Sequence, residues 1–136
     1  TDVPCSNTPV TLSGHYGNFV TGGVNYRDTD WYHIVASQPT TLVATLNGEL
    51  NGVLAILDIS GGCAALLERA PMQPAAPCTP VVASAAVPAG AYFVFVAPAD
   101  FVGSPGSARY SLTVTGVSCT SATKSTTWGS VKALYR

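Results

Sequence analysis

A chain of 136 residues is most simply one domain, and at this length it buries roughly two thirds of its unfolded surface. Its apolar share, 47%, is ordinary, but its charged share of 10% is far below the usual ~25%, so Ser, Thr, Gly, Asn and Ala supply much of the surface. Six Lys and Arg, scattered along a chain of formal net charge −1, exclude a phosphate-binding stripe, and no apolar run approaches the ~20 residues of a membrane span.

Low net charge also removes the self-repulsion that keeps copies apart, so association costs little. No signal peptide is recognisable, so an exported protein would be seen here in mature form.

Short β-type runs separated by turn residues follow in chain order: "PVTLSG", "GNFVTGG", "DWYHIVAS", "TTLVATLNG", "GVLAILDIS", "PVVASAAVPAG", "AYFVFVAPA" and "ARYSLTVTGVS". Their spacing, punctuated by Pro39, Asn47-Gly48, Asn51-Gly52, Gly61-Gly62, Pro88, Gly90 and Gly103, predicts an antiparallel sandwich. Tyr32, Ile34 and Ala36 fall on one face of their strand, and Leu42, Ala44 and Leu46 on one face of theirs. Tyr92, Val94 and Val96 oppose Phe93 and Phe95, which makes that strand apolar on both sides and central. Ten prolines, mostly between runs, leave little room for long helices. "AALLERA", the one mid-chain helix candidate, stops at Pro71 and fits a strand equally well.

Four cysteines, Cys5, Cys63, Cys78 and Cys119, show no C-x-x-C pairing, which disfavours a zinc site. Of the three connectivities, Cys5–Cys119 and Cys63–Cys78 are expected. The first ties the start of the domain to its end. The second closes "CAALLERAPMQPAAPC" as a Pro- and Ala-rich extended loop stapled outside the sandwich. A charge-poor, Thr-rich surface favours an oxidising, extracellular setting over a cytosolic chain of free thiols.

Enzyme chemistry finds little support. The sequence holds no G-x-S-x-G elbow, no H-E-x-x-H helix and no Gly-rich phosphate loop. His15 and His33 lie in a turn and on a strand without a carboxylate or cysteine at ligand spacing. Asp28 and Asp30, in "YRDTDWYHIVAS", are two apart, yet no apolar pocket for raising one pKa is evident beside them. An Asp before a strand more often caps a turn by bonding its own backbone. Calcium is the second reading, with Asp58, Asp100 or carbonyl oxygens completing a shell around Asp28 and Asp30.

"DTDWYHIVAS", "TTLVATLNG", "LAILD", "VPAGAYFVFVAP" and "ARYSLTVTG", in this order, resemble the bacterial pre-peptidase C-terminal domain family over roughly residues 8 to 117. The resemblance implies a jelly-roll-like β-sandwich, non-catalytic, of the kind found behind the catalytic domain of secreted hydrolases. It implies collagen or polysaccharide binding for some relatives, and calcium near the start of the domain for others. It places Asp28 and Asp30 on an acidic turn, Tyr32 and Ile34 on the first core strand, and Gly90 and Tyr92 on a G-x-Y strand. Tyr110, Leu112 and Val114 fall on the last strand. Three features depart from the family: no hydrolase precedes the domain, the Cys63–Cys78 segment is added, and residues 120–136 follow Cys119.

Two functions are therefore expected, neither of them catalytic. One is a structural subunit, exported and self-associating head to tail into an extracellular filament. The other is a module accessory to a secreted hydrolase that binds polysaccharide or protein through exposed aromatics, with Tyr16, Phe19, Tyr26, Trp31 and Phe101 as candidates. The polymer expectation rests on residues 120–136, a polar linker ending in "WGSVKALYR". As a helix this end would gather Trp128, Val131 and Leu134 beside Tyr135, and as a strand Val131, Ala133 and Tyr135. Neither form can bury those side chains alone, so the tail needs a groove on its own sandwich or on a neighbour. No cofactor is required.

Overall fold

Period-two alternation of apolar residues decides the architecture. The computed structural model describes residues 1–119 and folds them into ten strands and, among these residues, no α-helix. They are β1 (Val10–His15), β2 (Asn18–Thr21), β3 (Val24–Arg27), β4 (Asp30–Ala36), β5 (Thr40–Gly48), β6 (Gly52–Asp58), β7 (Leu67–Ala75), β8 (Val81–Val87), β9 (Gly90–Pro98) and β10 (Arg109–Thr115). Two four-stranded sheets, β1-β10-β5-β8 and β4-β9-β6-β7, are antiparallel throughout, and β2-β3 forms a separate hairpin. First strand beside last, and strands that alternate between layers, give the jelly-roll order expected for the chain. No helix among the described residues is long and apolar enough to cross a membrane.

The alternating residues meet between the sheets. Tyr32, Ile34, Ala36, Leu42, Ala44 and Leu46 are all buried there, packed with Tyr92, Val94, Val96 and Leu112 in one cluster. Strand β9 is central, paired with β4 on one side and β6 on the other. Two tyrosines fill the ends of the core only because glycines make room. A Cβ on Gly14 would stand 2.3 Å from the Tyr110 ring, and one on Gly48 would stand 2.3 Å from the Tyr16 hydroxyl. The Tyr16 hydroxyl is buried without a hydrogen-bond partner among the described residues, and burial pushes its pKa up to about 12.

One expected disulfide forms and the other does not. Cys5 and Cys119 are bonded, with Cα atoms 4.9 Å apart, and close a loop of sequence separation 114. Cys63 and Cys78 are both free and exposed. The segment between them is not a stapled loop: a single 3-10 turn (Cys63–Ala65) leads into the nine-residue β7, which pairs with β6. The eight Cα-to-Cα steps of this strand, at about 3.3 Å each, span about 26 Å, whereas bridged cysteines keep their Cα atoms within about 7 Å. Cys63 precedes that strand and Cys78 follows it, so no intrachain bond can join them. The strand carries Pro71 and Pro74, which suits an edge, where a missing donor is tolerated.

Removing the Cys5–Cys119 bond as a Cys5→Ser, Cys119→Ser pair should cost about 2–5 kcal/mol in denaturant unfolding. Replacing Cys63 and Cys78 with serine should stay within about 0.5 kcal/mol of the parent. Thiol counting on the unreduced, unfolded chain should find two. A count of zero would show that the exposed pair had found partners.

Burial also raises the pKa of Tyr110 and Tyr32, so the folded state holds protons that the unfolded chain releases above pH 10. Stability is thus fully present below pH 10 and falls as pH climbs towards about 12, the value for Tyr16. Phenolate absorbance during alkaline titration should show Tyr16 and Tyr110 ionising only as the protein unfolds. Tyr16→Phe, which removes an unpartnered hydroxyl, should be neutral or stabilising under the same melts.

Candidate functional site

The acidic turn is structural in its visible contacts. Asp30 opens β4, and its Oδ2 accepts a hydrogen bond from the Tyr110 hydroxyl, which in turn lies 2.6 Å from the Tyr32 hydroxyl. This chain of polar groups links the two sheets across one end of the core. Asp28 lies in the connection from β3, exposed, with its amide donating to the Gly17 carbonyl at 2.8 Å. Asp58 does not join them. It accepts from the Ser60 amide at 2.8 Å and from Arg69 at 2.5 Å, and these partners hold its carboxyl down at about 2. Among the described residues no three of His, Cys, Asp and Glu gather as a metal-ligand group. No three of Asp28, Asp30, Asp58 and Asp100 thus gather in one place.

The aromatic candidates divide. Tyr16 is core. Phe19 and Tyr26 are cross-strand partners on the β2-β3 hairpin, stacked with centroids 5.3 Å apart and 50% and 43% exposed. Phe101, also exposed, lies under the Arg27 guanidinium at 4.4 Å, and Arg27 donates to the Pro98 carbonyl, which anchors the hairpin to the end of β9. Trp31 belongs to a different surface.

That surface is the outer side of the β4-β9-β6-β7 sheet. Residues opposite in register share a face, so Trp31 lies beside Phe95, His33 beside Phe93, Ala55 beside Phe95 and Leu57 beside Phe93. Ala55, Leu57, Phe95 and Ala97 form a second buried apolar cluster, separate from the core, with Val53 and Phe93 partly buried against it. The Trp31 ring meets Phe93 and Phe95 edge-on, with centroids 5.9 and 5.0 Å away. Val35 extends the patch and is 56% exposed. The outer side of the other sheet is unlike it: Thr11, Ser13, Thr41, Asn47, Ser84 and Ser111 face outward there. Sequence reading noted that β9 is apolar on both sides but took this as a sign of centrality. The signal for an apolar outer face was in the same run.

The end of the described chain lies at the margin of this face. Thr1–Val3 run along the free edge of β4, with the Val3 amide donating to the His33 carbonyl and the His33 amide to the Thr1 carbonyl, both at 2.8 Å. His33 Nδ1 lies 2.9 Å from Asp2 Oδ1. A cavity of about 300 Å³ is lined by Asp2, Val3, Cys5, His33, Val35 and Val117, so the Cys5–Cys119 bridge adjoins the edge of the apolar face. Trp128, Val131, Leu134 and Tyr135 lie outside the described residues.

Fold and surface together define a disulfide-closed jelly-roll domain whose one prominent feature is an apolar sheet face. No protein-family model matches the chain, and no curated protein matches it in sequence.

Asp30→Asn weakens a charge-assisted bond to Tyr110 and should lower stability by about 1–2 kcal/mol. The loss should be the same in chelator and in millimolar calcium. Thermal melts showing the loss only with calcium present would place a metal at this turn.

Proposed function

We propose that the chain is a non-catalytic, exported structural subunit that self-associates head to tail into an extracellular filament, with residues 120–136 as the connecting segment. The observation that carries this is the outer side of the β4-β9-β6-β7 sheet, where Trp31 and Val35 stay exposed at the rim of a buried apolar cluster of Ala55, Leu57, Phe95 and Ala97. A two-layer sandwich has no internal use for that face. Exposed large apolar side chains grouped at one rim of an exported domain mark an interaction surface. Export is supported by the Cys5–Cys119 bond and by a charge-poor surface. Groove and plug at different places on one subunit make a contact that propagates. No cofactor takes part, and calcium is at most an accessory of the Asp28–Asp30 turn.

A second reading, a polysaccharide- or protein-binding module of the pre-peptidase C-terminal kind, is favoured by one observation. Phe19 and Tyr26 present stacked, half-exposed rings on a hairpin, with Phe101 and Arg27 close by. Such rings suit the apolar faces of sugars.

Truncation after Cys119 separates the two. The shortened chain keeps the ten described strands, the core they enclose and the disulfide, so it should remain folded, soluble and monomeric, while the full chain forms filaments by electron microscopy and light scattering. A full chain that stays monomeric at high concentration, yet is retained on a glycan or collagen matrix and released by Tyr26→Ala, would establish the module instead.

A further inference from the structure

The near-neutral total conceals a segregation of charge. All seven acids fall within residues 1–119, together with only Arg27, Arg69 and Arg109, which gives this part a formal net charge of −4. Residues 120–136 hold Lys124, Lys132 and Arg136 and no acid, a formal +3. Of the three domain arginines, Arg69 is paired with Asp58 and Arg27 sits over Phe101. The segment that follows Cys119 is therefore both cationic and rich in large apolar residues, and the domain has a surface with the complementary pattern. The apolar centre around Trp31, Val35 and Phe93 is flanked at one edge by Asp2, on the His33 side, and at the other by Glu68, opposite Leu57 in register.

We propose that the outer face of the β4-β9-β6-β7 sheet is the receptor for residues 120–136 of a neighbouring copy, an assignment that rests on the head-to-tail assembly proposed above. Its apolar centre takes the Trp128–Tyr135 side chains and its carboxylate margins take the three cations. Two other occupants fit less well. A second copy laid face to face would bring like charges together at both margins, with a net −4 on each domain. Strand addition at the edges of this sheet is hindered, because Thr1–Val3 already bond β4 and β7 carries Pro71 and Pro74. The face, not its edges, is what the sheet offers. The described chain also ends at the margin of the face, next to the cavity lined by His33 and Val35.

Photocross-linking in the full-length chain tests this. A benzophenone amino acid replaces Val131 or Ala133, one at a time, and populations of natural and ¹⁵N isotopic composition are mixed before assembly and irradiation. Cross-linked peptides from residues 30–36 and 90–98 should appear with mixed isotopes. Val35→Asp, at an exposed position that leaves the core intact, should abolish them and the filaments together, whereas Phe101→Ser, off the face, should leave both unchanged. Mixed-isotope links concentrated elsewhere, for example on β1, would overturn the assignment of the face while leaving head-to-tail assembly standing. Links to the face within a single isotope would overturn the neighbour as donor, and with it the filament. Filaments that persist in Val35→Asp would again refute the face alone.

Discussion

A two-layer sandwich encloses one core, and every strand in it turns alternate side chains away from that core. This constraint governs the rest of the molecule. On the β1-β10-β5-β8 sheet the outward residues are mostly Thr, Ser and Asn, which meet water at little cost, with Val43, Val82 and Ala86 among them. On the β4-β9-β6-β7 sheet they are Trp31, Val35, Phe93, Phe95, Ala55 and Leu57. In the second set Ala55, Leu57 and Phe95 are buried, whereas Trp31 and Val35 stay exposed at the rim. An apolar cluster outside the core contributes to folding only through this partial burial. Its further value lies in what covers it.

The face is held rigidly because its sheet is pinned from several directions. Core residues of β4 and β9 meet β5 and β10 across the sandwich, and the Asp30–Tyr110–Tyr32 chain of polar groups joins the layers at one end. Glycines at positions 14 and 48 let two tyrosine rings approach the backbone more closely than any Cβ would allow. At the edge of β4, Thr1 and Val3 add backbone bonds, and the Cys5–Cys119 bridge then ties that segment to the end of the last strand. Sheet, edge and chain exit therefore keep fixed positions relative to one another. A docking surface needs this preorganisation, since any ordering left to the moment of binding subtracts from affinity.

Much of this was legible in the sequence, and the failures have physical reasons. Strands with clean alternation, such as Tyr32-Ile34-Ala36 and Leu42-Ala44-Leu46, announced both their state and their buried side. Strand β7 did not. Its "LERAPMQPA" mixes charge, two prolines and no period of two, because an edge strand with a β-bulge needs neither a full ladder of donors nor regular alternation. Reading the Pro-rich half of β7 as a stapled loop, with "AALLERA" left open between helix and strand, made Cys63 and Cys78 look like neighbours, when β7 holds them apart. The Asp28–Asp30 turn was visible as a pair, but Tyr110, eighty residues beyond Asp30, is the partner that gives Asp30 its role. Such a contact leaves no local signature. Tyr16 was taken as a candidate for the surface because nothing nearby shows that Gly48 and Gly52 line up to receive its ring.

Total charge was misleading in a more instructive way. A value of −1 suggested copies that associate without self-repulsion, yet it is the difference between an acidic domain and a basic segment. In the proposed filament that division bears on geometry as well as affinity. Apolar faces alone would pair with each other and close into dimers, since a self-complementary contact is satisfied once two copies meet. Carboxylates at Asp2 and Glu68 oppose that pairing, because each would approach the acidic margin of the other copy. The same carboxylates attract a cationic segment. One set of charges thus disfavours the closed arrangement and favours the open one, which is how specificity is gained by penalising the competitor as well as by rewarding the partner. Because exposed charges are screened within about 8 Å at physiological salt, the discrimination must act at contact distance, at the margin of the face, and not through the long-range field of the domain.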